Sequence, residues 1–229
     1  MKKVGIIGGI GPASTVDYYD GIIKGVRSKV DDENYPEVLI NSINMTKMLS
    51  LIQNDCWEKL VDMLLVAIKD LAVAGADFAA IASNTPHIVF DKVERKAELP
   101  LISIVDATCK YALMKNVKKV VTIGTLFTMK SGLYSDALEK YNITAIVPSE
   151  DAQLMIHGII FPKLEDGIVI PEDKIKMLEL VNGMISEHNT DSLLLGCTEL
   201  PLMIKNNDID TILLNTTQIH IDAIVNSIC

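Results

Sequence analysis

Short runs of apolar, often β-branched residues punctuate the chain at 4–8, 38–43, 78–82, 101–105, 119–124, 144–147, 192–196 and 211–215, and between them apolar positions recur with helical period. A strand with one face in water alternates apolar and polar residues. These runs are almost continuously apolar, as strands covered by helices on both faces must be. Such strands alternating with helices predict an α/β fold built on parallel sheets.

The helices have local causes as well as a period. Between Asp55 and Gly75 the residues Leu60, Met63, Leu64, Ala67, Ile68 and Leu71 form one apolar stripe, with Asp55 placed to cap the start and Gly75 to stop the end. Pro171, Glu172 and Asp173 open another helix, where proline and acids suit the first turn, and it is expected to carry Ile175, Leu178, Val181 and Ile185 inward.

A coarse repeat organises these elements. Lys2 to Gly8 (KKVGIIG) resembles Lys118 to Gly124 (KKVVTIG), and IASNTPH at 81–87 has its counterpart in LGCTELP at 195–201, each ending a strand and opening a helix. The expectation is two pseudo-symmetric lobes, 1–116 and 117–229, each a mainly parallel sheet flanked by helices, with the active site in a cleft between them. The C-terminal helix is expected to pack back onto the first lobe.

Composition narrows the function classes. The 229 residues are 49% hydrophobic and 22% charged, with a formal net charge of −9, which disfavours nucleic acid and anionic membrane surfaces as partners. Cys56, Cys109, Cys197 and Cys229 are scattered, without the close pairs that metal fingers or redox dithiols use, and no histidine pair has metal-ligand spacing. The apolar start at 4–10 is too short for a membrane span and runs into Gly11-Pro12, so a cytoplasmic location is expected.

Three strand-end loops carry candidate chemistry. Gly8-Gly9-Ile10-Gly11-Pro12 follows the first strand, but the pattern closes on Ser14 and the next strand ends in Asn41-Ser42-Ile43-Asn44, with no acid for a ribose. A tight turn lining a small anionic ligand is the better reading. Ser83, Asn84 and Thr85 lie at the carboxyl end of a strand, where open α/β sheets place ligands, although helix capping alone also explains them. In the matching loop Cys197 leaves an apolar strand for a polar turn, where backbone N–H groups at a helix start are expected to lower its pKa. Ser83 and Cys197 would then stand on opposite walls of one cleft, the arrangement that two-sided proton transfer needs.

GGIGP near the start, the SNTPH loop, GTLFTM at 124–129 and GCTELP at 196–201 together resemble the aspartate/glutamate racemase family over essentially the whole chain. The resemblance implies cofactor-independent racemisation of an acidic amino acid, without pyridoxal phosphate, by two cysteines and often in a homodimer. The second cysteine falls on Cys197. The first falls on Ser83, whose hydroxyl stays protonated unless a base activates it. That leaves a hydroxyl variant of the two-base mechanism, a cysteine replaced in this chain, or an enzyme working from one face, as in arylmalonate decarboxylases.

The expected assignment follows. Cys197 and Ser83 are the acid/base positions, and Asn84, Thr85 and Thr198 meet the α-carboxylate and the charge that develops on it. Substrate contacts are also expected from Ile10, Met45, Thr46, Gln53, Thr125, Thr128 and Glu199. Lys163 stands where some family members place a base for the distal carboxylate, although an exposed lysine is the commoner fate. No metal and no cofactor is expected. Two alternatives use the same loops: a single-cysteine decarboxylase or isomerase of small dicarboxylates, and a catalytically silent dicarboxylate-binding protein.

Overall fold

A computed structural model describes residues 1–30 and 34–229. The chain forms two compact units, one of 1–104 with 217–229 and one of 105–216. In the first, β1 (Val4–Gly8), α1 (Pro12–Arg27), β2 (Val38–Ser42), α2 (Met45–Gln53), α3 (Trp57–Val73), β3 (Phe78–Ile81), a 3-10 turn (Thr85–Val89), α4 (Phe90–Glu94) and β4 (Leu101–Ile102) follow in order. The sheet runs β2-β1-β3-β4, all parallel. The apolar run 101–105 is thus strand only at its start, because the chain turns into a helix at Ile104.

The second unit contains α5 (Ile104–Met114) from Val105 onward, β5 (Lys119–Gly124), α6 (Leu126–Lys130), α7 (Ser135–Glu139), β6 (Thr144–Ile146), α8 (Glu150–Ile159), a π turn (Ile160–Leu164), α9 (Pro171–His188), β7 (Ser192–Gly196), α10 (Leu200–Met203) and β8 (Ile212–Asn215). Its sheet runs β6-β5-β7-β8, again parallel throughout, so the two units share one strand order. Register makes the repeat exact in position: Val4 pairs with Phe78 as Val120 pairs with Ser192. Counting on from those partners, Ser83 corresponds to Cys197.

The division falls after Ile104 and after Thr216, not at 116/117. The cause is α5, which is bonded into the second unit: Tyr141 donates to Asp106 at 3.1 Å, and Tyr134 bonds Thr108. The final helix, α11 (Thr216–Ile228), packs in the first unit. Gly21 and Gly25, one turn apart on α1, allow it close approach, since a Cβ at either would stand 2.9 Å from Ile221 or 2.7 Å from Val225.

Burial on both sheet faces explains the apolar inner strands β1, β3, β5 and β7, whereas the edge strands β2, β4, β6 and β8 are only partly buried. Val4, Ile6, Phe78, Ala80 and Ala82 meet Tyr18, Ile22, Val26, Ile221 and Val225 in one core, and the opposite face carries Gly5 against Leu71 of α3. In α3, Leu60, Leu64, Ala67, Ile68 and Leu71 are buried, but Cys56 and not Asp55 stands at the N-cap. Asp55 has φ of 51°, a turn conformation that removes it from the capping position. In α9 Met177, Val181 and Met184 are buried and Leu178 and Ile185 pack partly buried against the same core, whereas Ile175 is exposed, so of the four residues expected to point inward only Ile175 does not. Among the described residues no helix is long and apolar enough to cross a membrane.

Candidate active site

Each sheet's inner strand ends in a buried polar loop, and the two loops differ in what they can do chemically. After β7, Cys197, Thr198 and Glu199 are all buried, at 5, 6 and 6% exposure. The Cys197 thiol donates to Glu199 Oε2 at 2.9 Å, and the Thr198 hydroxyl lies 3.0 Å from both carboxylate oxygens. Hydrogen bonds to a charged acceptor are the strong kind, so this trio is held as a unit.

Burial together with that unit reverses the expected direction of the thiol pKa. Burial and then the Glu199 carboxylate push Cys197 well above the ordinary thiol value, and Glu165 adds to the repulsion. The backbone N–H of Glu199 acts in the expected, lowering direction but is outweighed. Cys197 therefore rests as a thiol whose proton already points at an acceptor. Glu199→Gln removes the repelling charge and should speed alkylation of Cys197 at neutral pH, by roughly tenfold for each 1.4 kcal/mol of repulsion relieved. An unchanged rate would show that the carboxylate is not what keeps the thiol protonated.

Glu165 was not singled out by sequence reasoning. It follows the π turn, and burial, then Glu199 and Asp166, raise its pKa to about 6. Its only signal in the sequence is an acid two positions beyond Lys163, which is indistinguishable from a surface charge without the fold. Lys163 itself is exposed.

The first unit's loop has a hydroxyl in place of the thiol. Ser83 and Asn84 are 8 and 3% exposed, and Thr85 is half-buried. The Ser83 N–H donates to the Ile81 carbonyl at 2.8 Å. The His87 ring bonds the Ser83 carbonyl oxygen, at 2.9 Å, and not the hydroxyl. Its other nitrogen accepts from the Ile104 N–H at 3.3 Å, so both ring nitrogens serve backbone groups.

The remaining expected contacts separate. In the first unit, Ile10 is buried in the β1–α1 turn, where the Ser14 and Thr15 hydroxyls donate to the Gly11 carbonyl and Thr15 accepts from the Gly9 N–H. Those groups tighten the turn itself. Met45 and Thr46 begin α2 behind the Asn44 cap, whereas Gln53 ends it, about 12 Å away along the axis at 1.5 Å per residue. In the second unit Thr125 caps α6, accepting from the Thr128 N–H at 3.2 Å with the two hydroxyls 3.0 Å apart. The Thr198 hydroxyl donates to Glu199. Among the described residues no cluster of histidine, cysteine and carboxylate ligands suits a metal ion.

Fold and loops define a duplicated α/β protein with a thiol–carboxylate pair at one inner strand end and a hydroxyl at the corresponding position of its repeat. The chain belongs to the Asp/Glu/hydantoin racemase family, whose model matches residues 7–224. It is 26% identical over 201 residues to the broad specificity amino-acid racemase RacX of Bacillus subtilis (strain 168), covering 86% of this chain and 85% of that one. A glutamate racemase of Aquifex aeolicus (strain VF5) is 30% identical over 131 residues, 56% of this chain and 48% of that protein. Among solved structures, an aspartate racemase homologue from Pyrococcus horikoshii OT3 is 36% identical and superposes with a TM-score of 0.88, covering 100% of this chain and 99% of that one.

Proposed function

We propose that the protein racemises an acidic amino acid, aspartate or glutamate, by proton transfer at Cα, with Cys197 serving one face of the substrate and the Ser83 position the other. The observation that carries this reading is the Cys197–Glu199 hydrogen bond of 2.9 Å, at the strand end that corresponds to Ser83 in the repeat. Family membership supports the reaction class.

The chemistry follows from the groups. Glu199 takes the thiol proton, the resulting thiolate takes the Cα proton, and the electron pair left on Cα moves into the α-carboxylate. Donors must then meet the growing oxyanion charge, a task that falls to Asn84, Thr85 and the loop N–H groups. Thr198, already bonded to Glu199, steadies the carboxylate. Glu199 is thereby a proton acceptor for the thiol, because its charge would repel either substrate carboxylate.

Reprotonation from the opposite face requires Ser83 to donate, which leaves an alkoxide far less stable than a thiolate. Inversion is thereby the harder half of the cycle. That same asymmetry favours a second reading, a one-faced decarboxylase or isomerase of small dicarboxylates, which release of carbon dioxide from a malonate or conversion of maleate to fumarate would reveal.

Chiral chromatography after incubation with L-aspartate or L-glutamate tests the leading reading. Appearance of the D enantiomer supports it, and products of carbon dioxide loss or double-bond isomerisation support the second. Lys163→Ala should weaken apparent binding of a dicarboxylic amino acid more than that of alanine, since a lysine paired to the distal carboxylate acts only when that carboxylate exists. Equal losses for both would place Lys163 outside the site.

A further inference from the structure

The buried imidazole of His87 is not used as a base in the proposed reaction, yet both its nitrogens are committed. The reason begins with Pro86. In the 3-10 turn Thr85–Val89, the His87 N–H donates to the Asn84 carbonyl at 3.0 Å. One step earlier in the same spiral the Ser83 carbonyl would accept from residue 86, but proline has no N–H to give. The second unit shows the arrangement without that proline: at the corresponding place the Leu200 N–H donates to the Cys197 carbonyl at 3.3 Å. In the first unit the missing donor is replaced by a side chain, His87 Nδ1, 2.9 Å from the Ser83 oxygen.

The partners fix the tautomer. A carbonyl only accepts, so Nδ1 carries the proton; the Ile104 N–H only donates, so Nε2 is bare. The ring is also clamped, stacked on Phe90 with centroids 4.9 Å apart and planes 6° from parallel. A second buried imidazole, His220, stands edge-on at 6.3 Å, itself held between the Tyr18 hydroxyl at 2.7 Å and the Ile102 carbonyl at 2.9 Å. Burial drives both rings to the neutral form, with His87 lowered to about 3 and His220 to about 4.

We propose that His87 is a positioning residue for the Ser83 loop: by supplying the hydrogen bond that Pro86 cannot, it sets the plane of the Ser83–Asn84 peptide and locks that loop to the exit of β4 at Ile104. In a trans peptide the C=O and the following N–H point opposite ways, so holding the Ser83 carbonyl also aims the Asn84 N–H. The inference rests on the racemase reading for its kinetic consequence but not for the hydrogen bond.

Two variants separate the ring's two ends. His87→Asn keeps a donor at the Nδ1 position, while His87→Gln puts its amide at the Nε2 position and leaves the Ser83 carbonyl without a partner. Where the unmodified protein exchanges Cα protons, the asparagine variant should keep kcat within about threefold, whereas the glutamine variant should lose on the order of 10²-fold in kcat at little-changed KM. Adding Pro86→Ala to the glutamine variant restores an N–H at residue 86 and should recover most of that loss. Equal kcat losses in the two variants, a loss confined to KM, or no recovery with Pro86→Ala would overturn the proposal.

Long-range proton–nitrogen NMR of the unmodified protein reads the tautomer without turnover. A neutral His87 protonated on Nδ1 at neutral pH is expected, and an Nε2-protonated ring would overturn the proposal even if His87→Gln fails to fold. If no Cα exchange is found for any acidic amino acid, the racemase reading fails on its own account, and the tautomer still decides whether His87 holds Ser83.

Discussion

In Ser83→Cys, racemase turnover should rise by roughly 10²- to 10⁴-fold, the contribution that one positioned acid/base typically makes. At 1.36 kcal/mol per decade this is about 3 to 5 kcal/mol of barrier. The exchange changes one atom, at a position 8% exposed whose counterpart in the repeat is already a thiol. The gain comes from ionisation: a thiol with its reference pKa near ~8.5 reaches the thiolate far more readily than a serine hydroxyl reaches the alkoxide. Before the change, exchange should outrun inversion, because Cys197 returns a solvent proton to the face it came from. Afterwards the two rates should converge. Equal rates in the unmodified protein, unaltered by Ser83→Cys, would refute the account of Ser83 as the weak partner.

The second large effect is at the other loop. Cys197→Ala should reduce Cα exchange to background while leaving substrate affinity within about tenfold, because the thiol is assigned chemistry and not anchoring. The protein's other cysteines provide the control. Cys109 is buried, and burial followed by the Asp106 carboxylate pushes it up to about 12, so it makes a poor nucleophile; Cys229 is exposed and should alkylate without consequence. Loss of activity on labelling Cys56, Cys109 or Cys229 while Cys197 remains untouched would remove Cys197 from its role.

The sheets and the pairing of the two loops were legible in the sequence because continuous apolar runs report two-sided burial and because the repeat preserved its motifs at strand ends. Register then aligned Ser83 with Cys197 by the same offset of 114 residues that relates SNTPH to CTELP. What escaped depends on side chains folding back over short distances. The spacing of Cys197 and Glu199 says nothing about burial or about a thiol pointing at a carboxylate, so the sequence suggests a pKa set by the helix-start amide, whereas burial and then the Glu199 carboxylate outweigh it. The 116/117 boundary followed the sequence repeat, whereas α5 follows its bonds to Tyr134 and Tyr141.

The central claim is that Cys197 moves a proton at the Cα of an acidic amino acid. Its most direct test is incubation of the protein with each enantiomer of aspartate and glutamate in deuterated water, following Cα deuteration by mass spectrometry or proton NMR and configuration by chiral chromatography. The account predicts deuterium at Cα of one enantiomer, entering faster than configuration inverts and disappearing in Cys197→Ala. Absence of both exchange and inversion for every acidic amino acid tried, or exchange that survives Cys197→Ala, would contradict it.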